Sequence, residues 1–468
     1  MVFSSLSFLF VFLPAVLLAH TLAPKGWRNG ILLAASVVFY AWGEPRYLPL
    51  LAGVVAVAYG SGLLLGHVRS PGARKAVTAV SVAGILGVLG YFKYFNFLVA
   101  NLNALTGAGL DFVRVLLPLG ISFYTFQAVT YVVDVARGDA PVERNPFRFA
   151  LYVLLFPKLI VGPIVQYRDV CGQLHARDAR AEDFVCGLQR LVVGLAKKML
   201  VATPLGAIAD RVFDLPPDAL TCGAAWLGAV AYSLQLFYDF GGYSDMALGL
   251  GRMFGFSFKE NFDHPYVSKS ITEFWRRWHI SLGAWFRDYL YIPLGGNRVS
   301  SARTVLNLAI VFLATGVWHG AAWTFVVWGC WHGLFVIAER LTGWHRREGG
   351  PLLALAHHAY ALLAIVFGWV LFRAETFTQA GVFFRAMTGF ASASAALPPT
   401  VMDFTPVDAA AAVAALVCAT PACAGMLSVA RTSGLRGWLV NAWLLLLFNL
   451  SVVQIVASTY NPFIYFRF

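Results

Sequence analysis

The chain is poor in charge and in cysteine chemistry. Only 12% of its 468 residues are Asp, Glu, Lys or Arg, while 59% are hydrophobic. Soluble domains carry about 25% charged and about 45–50% apolar residues, so the composition excludes an ordinary soluble protein. The six cysteines form no Cys-x-x-Cys pair, and metal-ligand spacing is missing. The cysteines are therefore interpreted as small apolar core residues rather than as metal ligands or a redox pair.

Several catalytic and binding signatures are missing as well. No Gly-x-Ser-x-Gly elbow is present, so a hydrolase-type serine nucleophile is unsupported. The run Gly295-Gly296-Asn297 resembles no phosphate loop and indicates a turn. The net charge is +12, but no basic stripe or nucleic-acid motif accompanies it. We attribute the excess of Lys and Arg to cytoplasmic loops of a membrane protein, and we expect no nucleic-acid partner.

The chain does contain many long apolar runs. A membrane span needs about 20 mostly apolar residues, and we expect about 10 to 13 of the runs to cross. The sequence predicts an all-α polytopic membrane protein, with amphipathic boundary helices around a central polar cavity or tunnel. We expect a single membrane-embedded domain over 1–468, with a signature core at about 230–340. The candidate runs are 3–23, 29–43, 47–66, 76–99, 114–136, 149–165, 186–206, 222–240, 304–320, 322–338, 352–372, 406–426 and 438–458.

Loop charge predicts how these runs are oriented. The first apolar run has no basic residue ahead of it, which favours an uncleaved first span with its N-terminus outside. Strict alternation fails in 149–240, so we expect that 149–165 or 186–206 does not cross fully. The basic clusters that mark cytoplasmic loops are Lys25/Arg28, Arg69/Arg74/Lys75, Arg137/Arg144/Arg148, Arg340/Arg346/Arg347 and Arg431/Arg436.

The longest polar insertion, 257–303, is expected on the cytoplasmic side. Ser270 and Glu273 have the spacing of a capping box that opens a helix. An apolar stripe then recurs at helical spacing, and Pro293 ends the pattern. The sequence predicts one amphipathic helix at the membrane boundary, with Arg276, His279 and Gly283 on its polar face. The stripe consists of Phe274, Trp278, Leu282, Trp285 and Tyr289.

Seven runs along most of the chain carry a family resemblance. Together they resemble the signature of the membrane-bound O-acyltransferase family and, within it, the alginate O-acetyltransferase branch. The resemblance implies a polytopic fold and acyl transfer to a hydroxyl. The runs are Pro118–Gln127, Gly162–Val165, Tyr238–Met246, Asn261–Leu282, Trp285–Arg298, Thr315–Trp323 and Asn461–Phe468.

Histidines in this signature are the candidate catalytic residues. His319 follows an apolar run, and a neutral imidazole there has two interpretations: a general base for a hydroxyl, or a hydrogen-bonded residue of the helix bundle. His332 stands in an identical Trp-His-Gly triplet, about 220° away if one helix continued through both. The residues alone do not choose between them. The resemblance implies that His319 is the catalytic His, facing a water-accessible passage, and that His332 is structural.

His279 and the residues around it complete the candidate site. His279 is either an interfacial residue or, as the resemblance implies, a second catalytic residue that polarises the donor carbonyl or orients His319. Arginines suit phosphate, so Arg276 and Arg277, with Arg287 and Lys269, are candidates for binding a phosphorylated donor or for anchoring at the membrane surface. Asp239 and Asp245 line the cavity or have structural hydrogen bonds. The remaining candidate cavity-lining residues are Trp318, Asp288 and Asn297.

The resemblance implies a multi-pass protein of the bacterial inner membrane that moves an acetyl group from a cytoplasmic donor. Its donor would be acetyl-CoA or another acyl thioester, with no resident cofactor or metal. The final acceptor would be an exopolysaccharide, namely alginate, reached with periplasmic esterase-like partners. The alternatives are D-alanyl, cellulose or peptidoglycan O-acyl transfer, or a transporter of a polymer or acyl carrier. Transporters commonly show repeated halves, which this sequence lacks.

Overall fold

The computed structural model describes residues 1–178, 180–347, 349–390, 398, 401, 403–423 and 434–458, which contain helices and loops and no β-strand. The Asn461–Phe468 motif lies outside these residues. Short π-helical turns cover Phe8–Phe12, Lys197–Ala202 and Arg287–Tyr291, and 3-10 turns cover Lys25–Trp27, Pro45–Tyr47, Pro265–Val267, Trp344–Arg346 and Pro421–Cys423. The α-helices are α1 (Leu13–Leu22), α2 (Arg28–Gly43), α3 (Leu48–His67), α4 (Pro71–Thr106), α5 (Ile121–Arg137), α6 (Pro146–Leu154), α7 (Phe156–Leu159), α8 (Tyr167–His175), α9 (Ala181–Ala196), α10 (Thr203–Phe213), α11 (Cys222–Met253), α12 (Ile271–Arg277), α13 (Ile280–Phe286), α14 (Ser301–His319), α15 (Trp323–Thr342), α16 (Pro351–Arg373), α17 (Phe377–Met387), α18 (Pro406–Cys418) and α19 (Leu435–Ala457).

Several helices have the length and composition of membrane spans. Within the described residues, six helical segments are long and apolar enough to cross a bilayer, and shorter apolar helices accompany them. This confirms the predicted all-α polytopic membrane fold. The six segments are Pro45–His67, Pro71–Thr106, Ala181–Phe213, Ser301–His319, Pro351–Arg373 and Gly437–Ala457.

The chain divides into two compact units, of which the first comprises Met1–Leu191 and Ser244–Lys259. Its core includes a cluster of phenylalanine rings. The Phe8 and Phe39 ring centroids are 6.0 Å apart, and those of Phe12 and Phe156 are 5.4 Å apart. These rings join the π-helical turn before α1 to α2 and α7.

Of the two runs that break the alternation of loop charge, only one fails to form a long helix. Run 149–165 does not form one helix, because α6 has nine residues and α7 has four. A nine-residue helix is about 14 Å long, against a hydrocarbon core of about 30 Å. Run 186–206, by contrast, lies within the continuous helical segment Ala181–Phe213. Of the two suspected runs, 149–165 is therefore the one too short to cross.

Run 114–136 becomes helical only at Ile121. Gly120 precedes it with φ +74°, a left-handed conformation that favours glycine. A Cβ at Gly120 would lie 2.8 Å from the carbonyl oxygen of Leu159, so the backbones approach too closely for a side chain. This junction holds α5 against the chain after α7.

The second unit comprises Val192–Tyr243 and the described residues from Glu260 onward. Its α14 and α15 form a hairpin, because the chain turns between His319 and Trp323. The two helices touch at a pair of glycines. A Cβ on Gly316 would lie 2.5 Å from the carbonyl oxygen of Phe325, and one on Gly329 would lie 2.4 Å from that of Phe312. Small residues allow such close packing of membrane helices.

The predicted boundary helix is interrupted in the structure. The side chain of Ser270 caps α12 by accepting from Glu273 N at 2.9 Å, which confirms the predicted start. The Glu273 carboxylate instead accepts from Lys269 N. The single helix is wrong: α12 ends at Arg277, α13 begins at Ile280, and a π-helical turn follows. The shared helical face of Arg276, His279 and Gly283 therefore does not form.

Candidate active site

The α12–α13 break places His279 in an uncommon backbone conformation. His279 has φ +46° and His264 has φ +44°, and no other non-glycine residue in the described ranges has positive φ. Asp263 N donates to Arg277 O, and Ile280 N donates to Asn261 O, both at 2.9 Å. These two bonds hold the segment before α12 against the break. Strained backbone of this kind clusters at functional sites.

Asn261 orients the imidazole of His279. Its side-chain Oδ1 accepts from the Ser281 backbone N at 3.2 Å and from Ser281 Oγ at 2.9 Å. His279 Nδ1 lies 3.1 Å from the same oxygen. Since a backbone N–H only donates, this atom must be the amide oxygen, and His279 Nδ1 must carry the proton. The lone pair of the ring is therefore on Nε2.

His279 is a neutral ring with an available acceptor atom. The residue is fully buried, and burial lowers the pKa of its imidazole to about 3 because the charged form loses hydration. Its Nε2 has no hydrogen-bond partner within the described part of the chain. Phe240 packs edge-on to the ring, with the two centroids 4.7 Å apart. The arrangement presents an unprotonated nitrogen at physiological pH.

Trp318 lies between the two candidate histidines. Its ring centroid is 6.1 Å from that of His279 and 5.0 Å from that of His319. His319 is the last residue of α14, and its ring also contacts Trp328 and Phe372, at 4.8 and 5.3 Å. The fold thus brings two histidines that are 40 positions apart in the sequence to one indole.

The expectation that His319 faces a water-accessible passage is not met in this structure. The residue is only 3% exposed, and aromatic rings of α14, α15 and α16 surround it. The angle of about 220° between His319 and His332 assumed one continuous helix. That assumption is wrong, because α14 and α15 form a hairpin. Trp328 contacts both imidazoles, with centroid distances of 4.8 and 5.2 Å.

The two predicted donor-binding arginines differ in their surroundings. Arg277 is held locally, by Asp263 Oδ2 and by Glu273 Oε1, each at 3.0 Å. Arg276 is exposed and forms no ion pair with any residue that the structure describes. Arg276 is therefore the one of the two whose guanidinium is open to an external anion.

The other predicted site residues have local partners. Asp288 is 6% exposed and accepts from Arg287 Nε at 2.7 Å within the π-helical turn. Asn297 Oδ1 accepts from Tyr291 Oη and Arg340 Nη1, at 2.7 and 3.0 Å. These contacts join the loop before α14 to the end of α15.

Two aspartates considered for the cavity are held by ion pairs. Asp245 belongs to the first unit, where its Oδ1 accepts from Arg190 Nε and Nη2 at 3.0 and 2.8 Å. Asp239 belongs to the second unit and forms a buried ion pair with Lys198. Both carboxylates therefore make structural bonds, which was the alternative to lining a cavity.

Sequence reasoning missed Glu339 as a residue that positions α12. Glu339 in α15 is 2% exposed. Its two carboxylate oxygens accept from Ile271 N and Thr272 N, at 2.6 and 2.9 Å, at the first turn of α12. A carboxylate is stabilised at a helix N-terminus by the free N–H groups and the dipole. The sequence separation of 68 residues leaves no local signal for this contact.

Comparison with known proteins gives the family of the chain. The model of the membrane-bound O-acyltransferase family matches residues 141–360. The chain is 42% identical to the probable alginate O-acetylase of Azotobacter vinelandii over the full length of both proteins. It is 32% identical to the peptidoglycan O-acetyltransferase of Helicobacter pylori, covering 83% of this chain and 80% of that protein. It is 31% identical to the teichoic acid D-alanyltransferase of Bacillus subtilis, covering 47% and 58%. The chain therefore belongs to the membrane-bound O-acyltransferase family, as its signature runs suggested.

Proposed function

We propose that this protein moves an acetyl group from a cytoplasmic donor across the bacterial inner membrane for O-acetylation of an exopolysaccharide, alginate. The donor is acetyl-CoA or another acyl thioester, and no resident cofactor is required. Full-length identity of 42% to a probable alginate O-acetylase supports the acetyl group and the polymer. The peptidoglycan and teichoic acid relatives support the same chemistry on other cell-surface polymers.

One observation supports the catalytic assignment: the imidazole rings of His279 and His319 both contact the indole of Trp318. O-acyl transfer must remove a proton from a hydroxyl as its oxygen attacks an acyl carbonyl. A positioned imidazole contributes about 10²–10⁴-fold to such a step. Two imidazoles beside one indole fit that requirement.

In the proposed reaction, His319 takes the proton of the acceptor hydroxyl while the hydroxyl oxygen bonds to the acyl carbon. The carbon–sulfur bond of the donor breaks, and the leaving thiolate takes that proton from the His319 imidazolium. The tautomer of His279 decides between hydrogen-bond donation and acceptance at its Nε2. Because Nδ1–H is donated to Asn261, Nε2 only accepts, so the neutral ring does not donate to the donor carbonyl. We assign His279 Nε2 as a hydrogen-bond acceptor for a substrate group rather than as the group that polarises the carbonyl.

Substrate access requires a rearrangement. Since His319 is 3% exposed, the aromatic side chains around it must move before a thioester and a hydroxyl reach the ring. We propose that periplasmic esterase-like partners complete the transfer. The immediate acceptor is then a partner's serine or a sugar hydroxyl, and both present the same nucleophile to His319.

The replacement His319→Ala tests the catalytic assignment. We expect O-acetylation to fall by at least about 100-fold, because the general base is lost. The measurement is transfer of labelled acetyl from acetyl-CoA to polymer, in membranes that contain the partner proteins. Membrane level and thermal midpoint in detergent should stay near wild type.

The matched control is His67→Ala, which replaces an exposed histidine at the end of α3 in the first unit. That variant should transfer acetyl at the wild-type rate. Full acetylation by a folded His319→Ala protein would end the assignment. Transfer of D-alanine, or acetylation of peptidoglycan or cellulose in place of alginate, would replace the proposed polymer. Movement of polymer without any acetyl transfer would favour the transporter.

A further inference from the structure

The site continues beyond the two predicted histidines as a row of alternating rings. His279, Trp318, His319, Trp328 and His332 follow one another, with successive ring centroids 6.1, 5.0, 4.8 and 5.2 Å apart. The row therefore contains three imidazoles separated by two indoles. His332 is the third imidazole, and the mechanism above does not use it.

His332 lies in an aromatic box. The residue is fully buried, and its ring contacts Trp275 and Trp328 at centroid distances of 5.3 and 5.2 Å. Phe274 and Trp369 lie at 6.1 and 6.2 Å. Neither ring nitrogen has a hydrogen-bond partner among the residues the structure describes. A buried imidazole with neither nitrogen bonded costs free energy, and such a group calls for an explanation.

His332 Nε2 packs closely against α16 at Gly368. A Cβ on Gly368 in α16 would lie 2.7 Å from His332 Nε2. A side chain on α16 at this point would press against the polar atom. If this position served packing alone, a phenylalanine would stabilise the fold more than a histidine does, because a phenyl ring has no polar atom that needs a hydrogen bond. The polar ring is therefore better explained by a ligand than by packing.

Helix direction places His332 on the donor side of His319. The basic cluster Arg340/Arg346/Arg347 assigns the end of α15 to the cytoplasm. His332 precedes the last residue of α15, Thr342, by ten positions, which corresponds to roughly 15 Å along the helix. His319 lies beyond the opposite end of α15, before Trp323. A donor that enters from the cytoplasm meets His332 first.

We propose that His332 contacts the acyl donor, by hydrogen bonds to an amide of the extended thioester arm, as the acyl group approaches His319. This inference rests on the proposed function, which supplies a cytoplasmic thioester. A neutral imidazole has one donor and one acceptor, and an amide has the matching pair. The apolar segments of the arm between its amides pack against the flat indole faces.

The replacement His332→Phe tests this proposal, with acetyl-CoA as the probe. Phenylalanine keeps an aromatic ring in an aromatic box, so the variant should reach the membrane at the wild-type level with an unchanged or higher thermal midpoint. We expect the KM for acetyl-CoA to rise at least tenfold, with the KM for the acceptor unchanged. His332→Gln, which restores one donor and one acceptor, should recover much of the affinity.

Each other outcome would overturn the inference. A folded His332→Phe protein with wild-type kinetics would show that the ring only packs. A variant that fails to accumulate, or melts several degrees lower while wild type is active, would show that the fold itself requires the imidazole. If wild type transfers no acetyl from acetyl-CoA, the proposed donor fails and this inference fails with it.

Discussion

At His279 the backbone is held in a conformation that a non-glycine residue rarely adopts, at a cost of about 1–3 kcal/mol. Asn261 offsets part of this cost, because one amide oxygen holds the Ser281 backbone N–H and the His279 ring together. The same bond selects the tautomer of the ring. The orientation of the His279 ring therefore depends on a side chain from outside α12 and α13.

The replacement Asn261→Asp should shift the pH dependence of activity. In wild type the pKa of His279 lies at about 3, so the ring is neutral throughout the neutral range. A carboxylate facing Nδ1–H favours the charged ring and raises this pKa. The protonated ring has no lone pair left to accept a hydrogen bond at Nε2, so activity should fall about tenfold per pH unit below the raised pKa and recover above it. Initial rates between pH 5 and 9 measure the shift.

The control for this shift is Asn145→Asp in the first unit. Asn145 caps α6 by accepting from two backbone N–H groups, a role that aspartate also fills. Its pH profile should match wild type. An unshifted acid limb in a folded Asn261→Asp protein would contradict the orienting role of Asn261.

Burial of His279 also predicts how stability depends on pH. The folded-state pKa is lowered to about 3 from an unfolded value of 6.5, so the unfolded chain binds more protons between these values. Stability is then fully present above about pH 6.5 and falls on acidification, by about 1.4 kcal/mol per unit at most. Thermal midpoints in detergent should drop between pH 6.5 and 5 in wild type. His279→Asn should show a smaller drop, and an equal drop in both proteins would assign the loss to other groups.

The resemblance of the sequence selected His319 and His279 as candidates because each stands in a recognisable signature run. It did not identify Asn261 as the orienting residue, although that asparagine opens the same run. The bond spans 18 positions and depends on the left-handed break, which the residue pattern does not reveal. The environment of His319 was also not predictable, because Phe372 and Trp328 come from other helices.

At the scale of elements, the α14–α15 hairpin brings the two Trp-His-Gly triplets to one indole. Its helices meet at Gly316 and Gly329, where carbonyl oxygens of the facing helix occupy the space of a side chain. In lipid the hydrophobic effect does not drive helices together. Close packing of this kind is therefore a main source of the attraction between α14 and α15. The position of His319, three residues after Gly316, therefore depends on the contact.

The replacement Gly316→Ala should separate the two helices. Its Cβ would lie 2.5 Å from a backbone oxygen, which does not move independently of α15. We expect the free energy of unfolding to fall by about 1–3 kcal/mol, as for overpacked cores, and acetyl transfer to fall with it. Thermal unfolding in detergent and the transfer rate measure these effects. Gly87→Ala in α4 is the control, since a Cβ there meets nothing within 4 Å; equal behaviour of the two variants would contradict the packing argument.

Apolar length predicted most of the helices, because a span is a property of consecutive residues. The interruption at His279 was not predictable, because the apolar stripe fits one helix as well as two. Phe274, Trp278 and Leu282 are buried at 0–1% exposure, as one helical stripe would require. The same burial is achieved by two short helices, so the stripe does not distinguish the two arrangements. Tertiary bonds from Asn261 and Glu339 decide between them.

At the scale of the whole molecule, the proposed function is a directional one: a thioester on one side of the membrane and a polymer on the other. Loop charge predicts that the 257–303 insertion and the end of α15 lie in the cytoplasm. His332, Trp328 and His319 then lie in the order in which a cytoplasmic donor would meet them. A charged, water-soluble donor does not cross the bilayer itself, so only one face of the protein should accept it.

Sealed membrane vesicles of opposite orientation test this sidedness. Added acetyl-CoA should support transfer to enclosed acceptor in inverted vesicles, which expose the cytoplasmic face. Sealed right-side-out vesicles should give at least about tenfold less transfer, because the donor cannot reach the cytoplasmic entry. A detergent that permeabilises both preparations should make their rates equal, which controls for the amount of active enzyme. Equal rates in the two sealed preparations would mean that the donor enters from either face, and the path past His332 would lose its basis.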